Sequence, residues 1–373
     1  MRAQVKILEF ICPTGFYGAE RWILALMNNL DANKASVELV TTAEKENQDQ
    51  ELLNKVQQMG LPATAIKMKH RFDLSVIPKL CKLIQQRNID IIHSHGYKSD
   101  IISLIAAKKC GIKCISTPHG FENTSDFKLR FYIWLGNLVM RYFDRVVPLS
   151  PQLLQDCHAL MTDKNKLVYI QNGVDFSEAD VVKNEMTQGD KSSEKVIGFI
   201  GQLISRKNLT DTISAFAILL SRQKNLKLII IGEGEEQQTL QSFAKQLGCE
   251  DKIEFLGYRD DRLKLLSNFD LFMLSSTLEG IPRCLMEAAY LQVPIVAYDI
   301  PGVDKIITHN QSGFLAPVGD SEMMAKYAET LLYNDKVKDK IILAAEKNVI
   351  ENYSAKRMAN EYCQLFLDLT KHQ

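Results

Sequence analysis

Short apolar runs alternate with helix-period segments along almost the whole chain, and the alternation starts afresh midway. Residues 5–11 are apolar enough for a buried strand. They end in Pro13-Thr14-Gly15-Phe16-Tyr17-Gly18, after which Ile23, Leu24, Leu26, Met27 and Leu30 recur at helical spacing. Further strands are expected at 37–41, 63–66, 89–93, 114–117, 145–149 and 168–171, and helices at 52–59, 74–87, 100–109 and 128–143. Residues 176–195 lose their apolar content and read as a connection. A second series of strands follows at 196–200, 226–231, 253–255, 271–274, 295–297 and 313–315, before a helical, charged tail from about 325. Strands regularly followed by helices make a parallel sheet covered on both faces. A length of 373 residues accommodates two such sheets. The expected class is α/β: two Rossmann-like doubly wound domains facing a cleft. The expected domains are residues 1–176, residues 177–350, and a C-terminal helix over 351–373 that packs back on the first domain.

Composition narrows the function classes. Hydrophobic residues make up 46% and charged residues 24%, the balance of an ordinary soluble protein. No apolar run reaches the ~18–20 residues of a membrane span, and the N-terminus reads as a first strand rather than a signal peptide. Eight cysteines are scattered singly, which argues for a reducing compartment and against structural zinc. The expected location is cytoplasmic. The charge is uneven: residues 1–176 hold 22 Lys and Arg against 17 Asp and Glu, a net +5, and residues 177–373 hold 23 against 28, a net −5. The basic half suits an anionic acceptor or the inner face of the cytoplasmic membrane. The aromatic, amphipathic stretch 128–145 reads as a membrane-surface helix or, preferably, as a helix covering the sheet. Nothing points to nucleic acid.

In sheets of this kind ligands bind at the carboxyl ends of the strands, where Gly18, His95, His119, Ser150, Asn172, Gly201, Gly232, Gly257 and Glu279 all fall. The stretch 275–301 is the most informative. A strand stops at Ser275-Ser276-Thr277, Gly280 and Pro282 turn the chain, and a helix follows from about 283 to 291, so that unpaired N–H groups face whatever lies above the sheet. Glu279 and Glu287 stand beside that anion cradle, which suits a ligand carrying both phosphate and hydroxyl groups, such as a nucleotide sugar. Arg206 and Lys207, between another strand and helix, suit a departing diphosphate. The loop through Gly15 and Gly18 is not GxGxxG, and no acid ends the second strand, so a nicotinamide cofactor is not expected. His93 and His95 suggest a metal pair for which the sequence supplies no third ligand; a structural role fits them better. The absence of any D-x-D triplet disfavours a metal-bridged nucleotide sugar.

Together these residues resemble family 4 of the retaining glycosyltransferases, which have the GT-B fold. The resemblance covers nearly the whole chain. Its most specific element is the E-x7-E signature from Glu279 to Glu287, with Pro294 beyond it. Supporting elements are Gly18-Ala19-Glu20-Arg21, Ser94-His95-Gly96, Thr117-Pro118-His119-Gly120, Asn172-Gly173-Val174-Asp175, Lys207-Asn208 and Gly232-Glu233-Gly234. The resemblance implies transfer of a hexose-type sugar from a nucleoside diphosphate sugar, a UDP-sugar first among them, with retention of configuration and without metal or other cofactor. The acceptor it implies is a glycan or a lipid-linked glycan. It also implies that Glu279 meets the donor sugar's hydroxyls, Glu287 the ribose, and His119 the transferred sugar, and that Arg206 and Lys207 stabilise departing charge. The diphosphate would lie over Ile281, Pro282, Arg283, Cys284 and Leu285, chiefly on the N–H groups near Cys284 and Leu285. The base would lie by Tyr258 and Arg259, and the Gly18 loop would close on phosphate or acceptor. Gln202 stands where the family often has arginine, and Tyr17 where a second glycine is common. Two alternatives share the architecture: a nucleotide-sugar epimerase, which would isomerise the nucleotide sugar alone, and an inactive partner subunit, which would bind nucleotide without turnover.

Overall fold

The computed structural model describes residues 4–13, 15–43, 51–70, 73–119, 135–136, 138–185, 194–223 and 225–371. The chain forms two compact units, residues 1–173 with 355–373, and residues 174–354.

The first unit is built on a parallel sheet of β1 (Val5–Ile11), β2 (Ala35–Ala43), β3 (Ala63–Lys67), β4 (Ile91–His95), β5 (Lys113–Ser116) and β6 (Arg145–Val146), in the spatial order 3-2-1-4-5-6. Between the strands run α1 (Gly18–Asn29), α2 (Glu51–Gln58), α3 (Val76–Arg87) and α4 (Tyr97–Cys110), with α5 (Pro151–Leu160) after β6. Side chains alternate across each strand, and both faces are apolar. Ile7, Leu39, Ile91 and Ile115 face one way, onto Ile23 and Leu26 of α1. Leu8, Phe10, Val40 and Ile92 face the other, onto Leu80, Ile84 and Ile102. β6 ends early because Pro148 has no N–H to give the ladder. The strand expected at 168–171 runs beside it as single contacts only, Val168 N–H to the Val146 carbonyl (3.0 Å) and Asn172 N–H to that of Leu149 (3.0 Å). Half of the aromatic helix expected at 128–143, residues 128–134 and 137, lies outside the described residues.

The second unit repeats the design. After α6 (Ser177–Glu185) come β7 (Lys195–Ile200), α7 (Leu209–Arg222), β8 (Leu226–Ile231), α8 (Gln237–Gln246), β9 (Ile253–Gly257), α9 (Arg262–Leu266), β10 (Leu271–Leu274), α10 (Arg283–Tyr290), β11 (Ile295–Tyr298) and β12 (Phe314–Ala316). Then follow α11 (Ser321–Tyr333) and α12 (Asp335–Tyr353). The sheet order, β12-β11-β10-β7-β8-β9, is the same 3-2-1-4-5-6 counted from β7. In each sheet the strand order reverses beside the first strand, between β1 and β4 and between β7 and β10. That is where ligands settle in open α/β sheets.

The boundaries differ from the sequence reading. The first crossing falls at 173/174 rather than 176/177, because Phe176 is stacked flat on Tyr290 (centroids 4.1 Å apart) and belongs to the second core. Part of the expected connection is helical, since Ala179 is buried in α6. The return falls at 354/355, where Ser354 is extended, and the terminal helix α13 (Ala355–Thr370) joins the first unit. Met358, Ala359, Tyr362 and Phe366 of α13 are fully buried against α1 and the sheet. Among the described residues no helix is long and apolar enough to cross a membrane. Phe366→Ala should cost about 3–5 kcal/mol. Urea unfolding followed by circular dichroism checks this, and an unchanged midpoint would mean that α13 adds little to the first core.

Candidate active site

The second unit assembles its charged residues at the switch point beside β7. After β7 the chain turns through a short 3-10 segment, Ser205–Lys207, and enters α7 at Asn208, whose φ is +48°. The end of β10 holds this turn: the Ser275 hydroxyl donates to the Asn208 carbonyl (2.7 Å) and the Thr277 N–H to that of Arg206 (2.9 Å). Glu279 therefore arrives beside both cations. Lys207 Nζ pairs with its Oε1, and Arg206 Nη1 lies 3.4 Å from its Oε2 and 3.1 Å from the Leu278 carbonyl. The Lys207 and Glu279 side chains are 9% and 7% exposed against 43% for Arg206, so the lysine pair is the desolvated one. Gln202 is exposed.

Pro282 caps α10, and the Leu285 N–H turns back to the Pro282 carbonyl (3.1 Å). The Leu285 N–H therefore has a backbone acceptor within its own turn. The N–H groups of Arg283 and Cys284 have no acceptor among the described residues, the usual state of a helix's first turn. Burial pushes the Cys284 thiol up to about 12. It also feels the charges of Lys207, Glu287 and Glu279, which places all three around the start of this helix. Glu287, inside α10, is buried and accepts from Arg283 Nε (2.8 Å) and Arg262 Nη2 (2.9 Å). Its pairing with Arg262 has no signal in the sequence. Tyr258 is exposed, with its N–H on Glu233 Oε1 (3.3 Å), and Arg259 is bidentate to Asp261 (2.7 Å each).

Two glycines make this packing possible. A Cβ at Gly232 would lie 1.9 Å from the Gly201 carbonyl, and one at Gly302 (φ +94°) 1.5 Å from that of Gly280, next to Glu279. Sequence reasoning singled out Gly232 but missed Gly302.

Gly18 and His119 belong to the first unit. Gly18 opens α1, where the Tyr17 N–H is capped by Glu20 Oε2 (2.9 Å). His119 follows β5, and its Nε2 lies 3.1 Å from His95 Nδ1. His95 Nε2 in turn lies 2.7 Å from Glu9 Oε2, and His93 Nδ1 hydrogen-bonds the other carboxylate oxygen, Oε1, at 3.1 Å. His93 Nε2 meets Thr117 Oγ1 (2.8 Å), which meets the Tyr362 hydroxyl (2.9 Å) on α13. Register explains the cluster: Glu9 pairs with His93 across β1 and β4, and His95 is two residues on, on the same face. Trp22 of α1 packs on His93, His95, His119 and Tyr362 with centroids 5.2–5.9 Å away. Burial alone would raise the Glu9 carboxyl, but His93 and His95 overrule it and hold it down at about 2. Burial, then the charge of His93, lowers His95 to about 4, and burial also takes His119 well below its usual range.

Glu9 is the acid that the His93/His95 pair lacked in the sequence, and the three ligand-type atoms lie within 4.8 Å of one another. The separations are those of hydrogen bonds: a tetrahedral ion with bonds of about 2.0–2.1 Å holds its ligand atoms about 3.4 Å apart.

Three outcomes follow from this geometry. Glu279→Ala strands a buried Lys207 and should cost about 3–5 kcal/mol, whereas Lys207→Ala leaves Glu279 with Arg206 and should cost less; chemical denaturation of both variants compares them. Gly302→Ala should force Gly280 and Glu279 aside at about 1–3 kcal/mol in stability, with any glycosyl transfer falling in parallel. The folded chain keeps His95 neutral from 6.5 down to about 4, while the unfolded chain takes up a proton there, so stability falls as pH drops through that window. Glu9 adds stability above 4.5 that is lost only as pH falls toward about 2. Equal melting temperatures at pH 7.5 and 5 would contradict the assignment.

Two family models cover the chain, "Glycosyltransferase Family 4" over residues 16–178 and "Glycosyl transferases group 1" over residues 182–348. An N-acetyl-alpha-D-glucosaminyl L-malate synthase of Bacillus anthracis is 29% identical over 311 residues, 80% of each chain. The UDP-Gal:alpha-D-GlcNAc-diphosphoundecaprenol alpha-1,3-galactosyltransferase of Escherichia coli is 25% identical over 310 residues, also 80% of each. A glycosyltransferase from Rickettsia africae superposes with a TM-score of 0.77 over 100% of both chains at 19% identity, a likeness of fold. Two parallel sheets of one strand order, a Glu279 clamped by Lys207 at the switch point of the second, and these matches make the chain a glycosyltransferase of the family 4 type, with the GT-B fold.

Proposed function

We propose that the enzyme moves a hexose-type sugar from a UDP-sugar, with retention of anomeric configuration and without a metal ion, to a glycan or lipid-linked glycan acceptor in surface polysaccharide or glycolipid synthesis. The observation that carries this reading is Glu279 at the end of β10, between Lys207 and Arg206 and beside the start of α10. A carboxylate that only accepts hydrogen bonds suits sugar hydroxyls. Fixed cations and free N–H groups suit a leaving diphosphate, whose charge grows as the glycosidic bond breaks. Glu287, held by two arginines, suits the ribose, and His119 the transferred sugar. The Escherichia coli relative is named for a UDP-galactose donor and a diphosphoundecaprenol acceptor, which supports both substrate classes.

A second reading of the acceptor has its own support: the Bacillus anthracis relative is named for L-malate, a small hydroxy acid. A thermal-shift panel of nucleoside diphosphates and their sugars, followed by transfer assays with lipid-linked glycans and with hydroxy acids, separates the two. Glu279→Ala and Lys207→Ala should each lower transfer by about 100-fold or more, with circular dichroism showing a folded chain. Full activity in both would remove the site assignment, and an inverted anomer in the product would remove retention.

A further inference from the structure

We propose that Glu9, acting through His95, decides which nitrogen of His119 carries the proton, so that His119 offers a bare Nδ1 to a hydroxyl of the bound sugar. Glu9 and His95 are positioning residues for that contact. The inference rests on the reading that His119 touches the transferred sugar.

The argument is one of donors and acceptors. An ionised carboxylate can only accept. Glu9 is fully buried, with Oε2 2.7 Å from His95 Nε2 and Oε1 3.1 Å from His93 Nδ1. Both histidines must therefore turn an N–H toward it, His95 from Nε2 and His93 from Nδ1. A neutral His95 then has a lone pair on Nδ1, and the His119 Nε2 that faces it at 3.1 Å must supply the hydrogen. A neutral His119 with its proton on Nε2 has a lone pair on Nδ1, and no described residue takes that atom. Burial keeps both rings neutral near pH 7.

The surroundings hold the rings as well as the protons. Trp22 packs on all three imidazoles, and the second leg of the carboxylate is anchored by His93, Thr117 and Tyr362 of the terminal helix. A buried acid costs stability compared with an apolar residue of similar size, so its presence in a strand otherwise reading Val-Lys-Ile-Leu-Phe-Ile calls for a task that an apolar residue cannot perform. Passing a fixed hydrogen-bond polarity to His119 is such a task.

The geometry also separates this reading from a metal. A cation on Glu9, His93 and His95 would need bare Nε2 on His95 and bare Nδ1 on His93. It would put the His95 proton on Nδ1 and reverse His119. Long-range proton–nitrogen NMR of full-length protein labelled in its seven histidines, assigned with single His→Gln variants, reads every tautomer. The expected pattern at pH 7.5 is Nε2–H for His95 and His119 and Nδ1–H for His93. His119 protonated on Nδ1, or on both nitrogens, overturns the proposal. In Glu9→Gln the amide can donate, so the expected result is a changed tautomer at one or both arms and a kcat about tenfold lower, with UDP binding unchanged. Wild-type tautomers and rate in a folded Glu9→Gln overturn it; if that variant does not fold, the wild-type spectrum decides. Full transfer by His119→Ala would overturn the sugar contact while leaving the tautomers as they are, so the two readings fail separately.

Discussion

A buried carboxylate stands at the switch point of each sheet, and the surrounding structure is arranged to keep it charged. In the second unit Glu279 is neutralised by Lys207 and reached by Arg206. In the first, Glu9 is held by His93 and His95. An unpaired charge in such a place would be too costly to keep, so partners must arrive from other strands. They arrive because the strand order brings β1 beside β4 and β7 beside β10. Adjacent parallel strands end at the same edge of the sheet, and the turns that follow them share one small space.

The two sites use different chemistry. Lys207 and Arg206 meet Glu279 as ion-pair partners. Burial holds His95 and His119 in the neutral form, so this pair acts by hydrogen-bond direction rather than by charge. The first-unit network also recruits the last helix: Tyr362 reaches Thr117, while Phe366 and Met358 fill the core beneath. The end of the chain is thereby structurally tied to the group that carries His119.

Close backbone approach is the second shared device. Gly232 lies against Gly201, and Gly302 against Gly280, at distances that exclude any side chain. These contacts fix the turns bearing Lys207 and Glu279 more firmly than loop length alone would, which is what a preorganised site requires.

The order of strands and helices and the doubly wound class were legible in the amino-acid sequence, which also singled out Glu279, Glu287, Lys207 and His119 as candidates. Each depends on local periodicity, on turn residues that act over a few positions, or on a motif of short span. What only the tertiary structure decided were the partners: Glu9 for His95, Arg262 for Glu287, Gly302 for Gly280, Phe176 for Tyr290. These pairs are 86, 25, 22 and 114 residues apart, and nothing in a one-dimensional pattern links them. Glu9 did leave a trace, the one acid in a mostly apolar strand. Its meaning appeared only when strand register set it beside two histidines, because hydrogen bonding depends on angles and distances that the fold alone supplies.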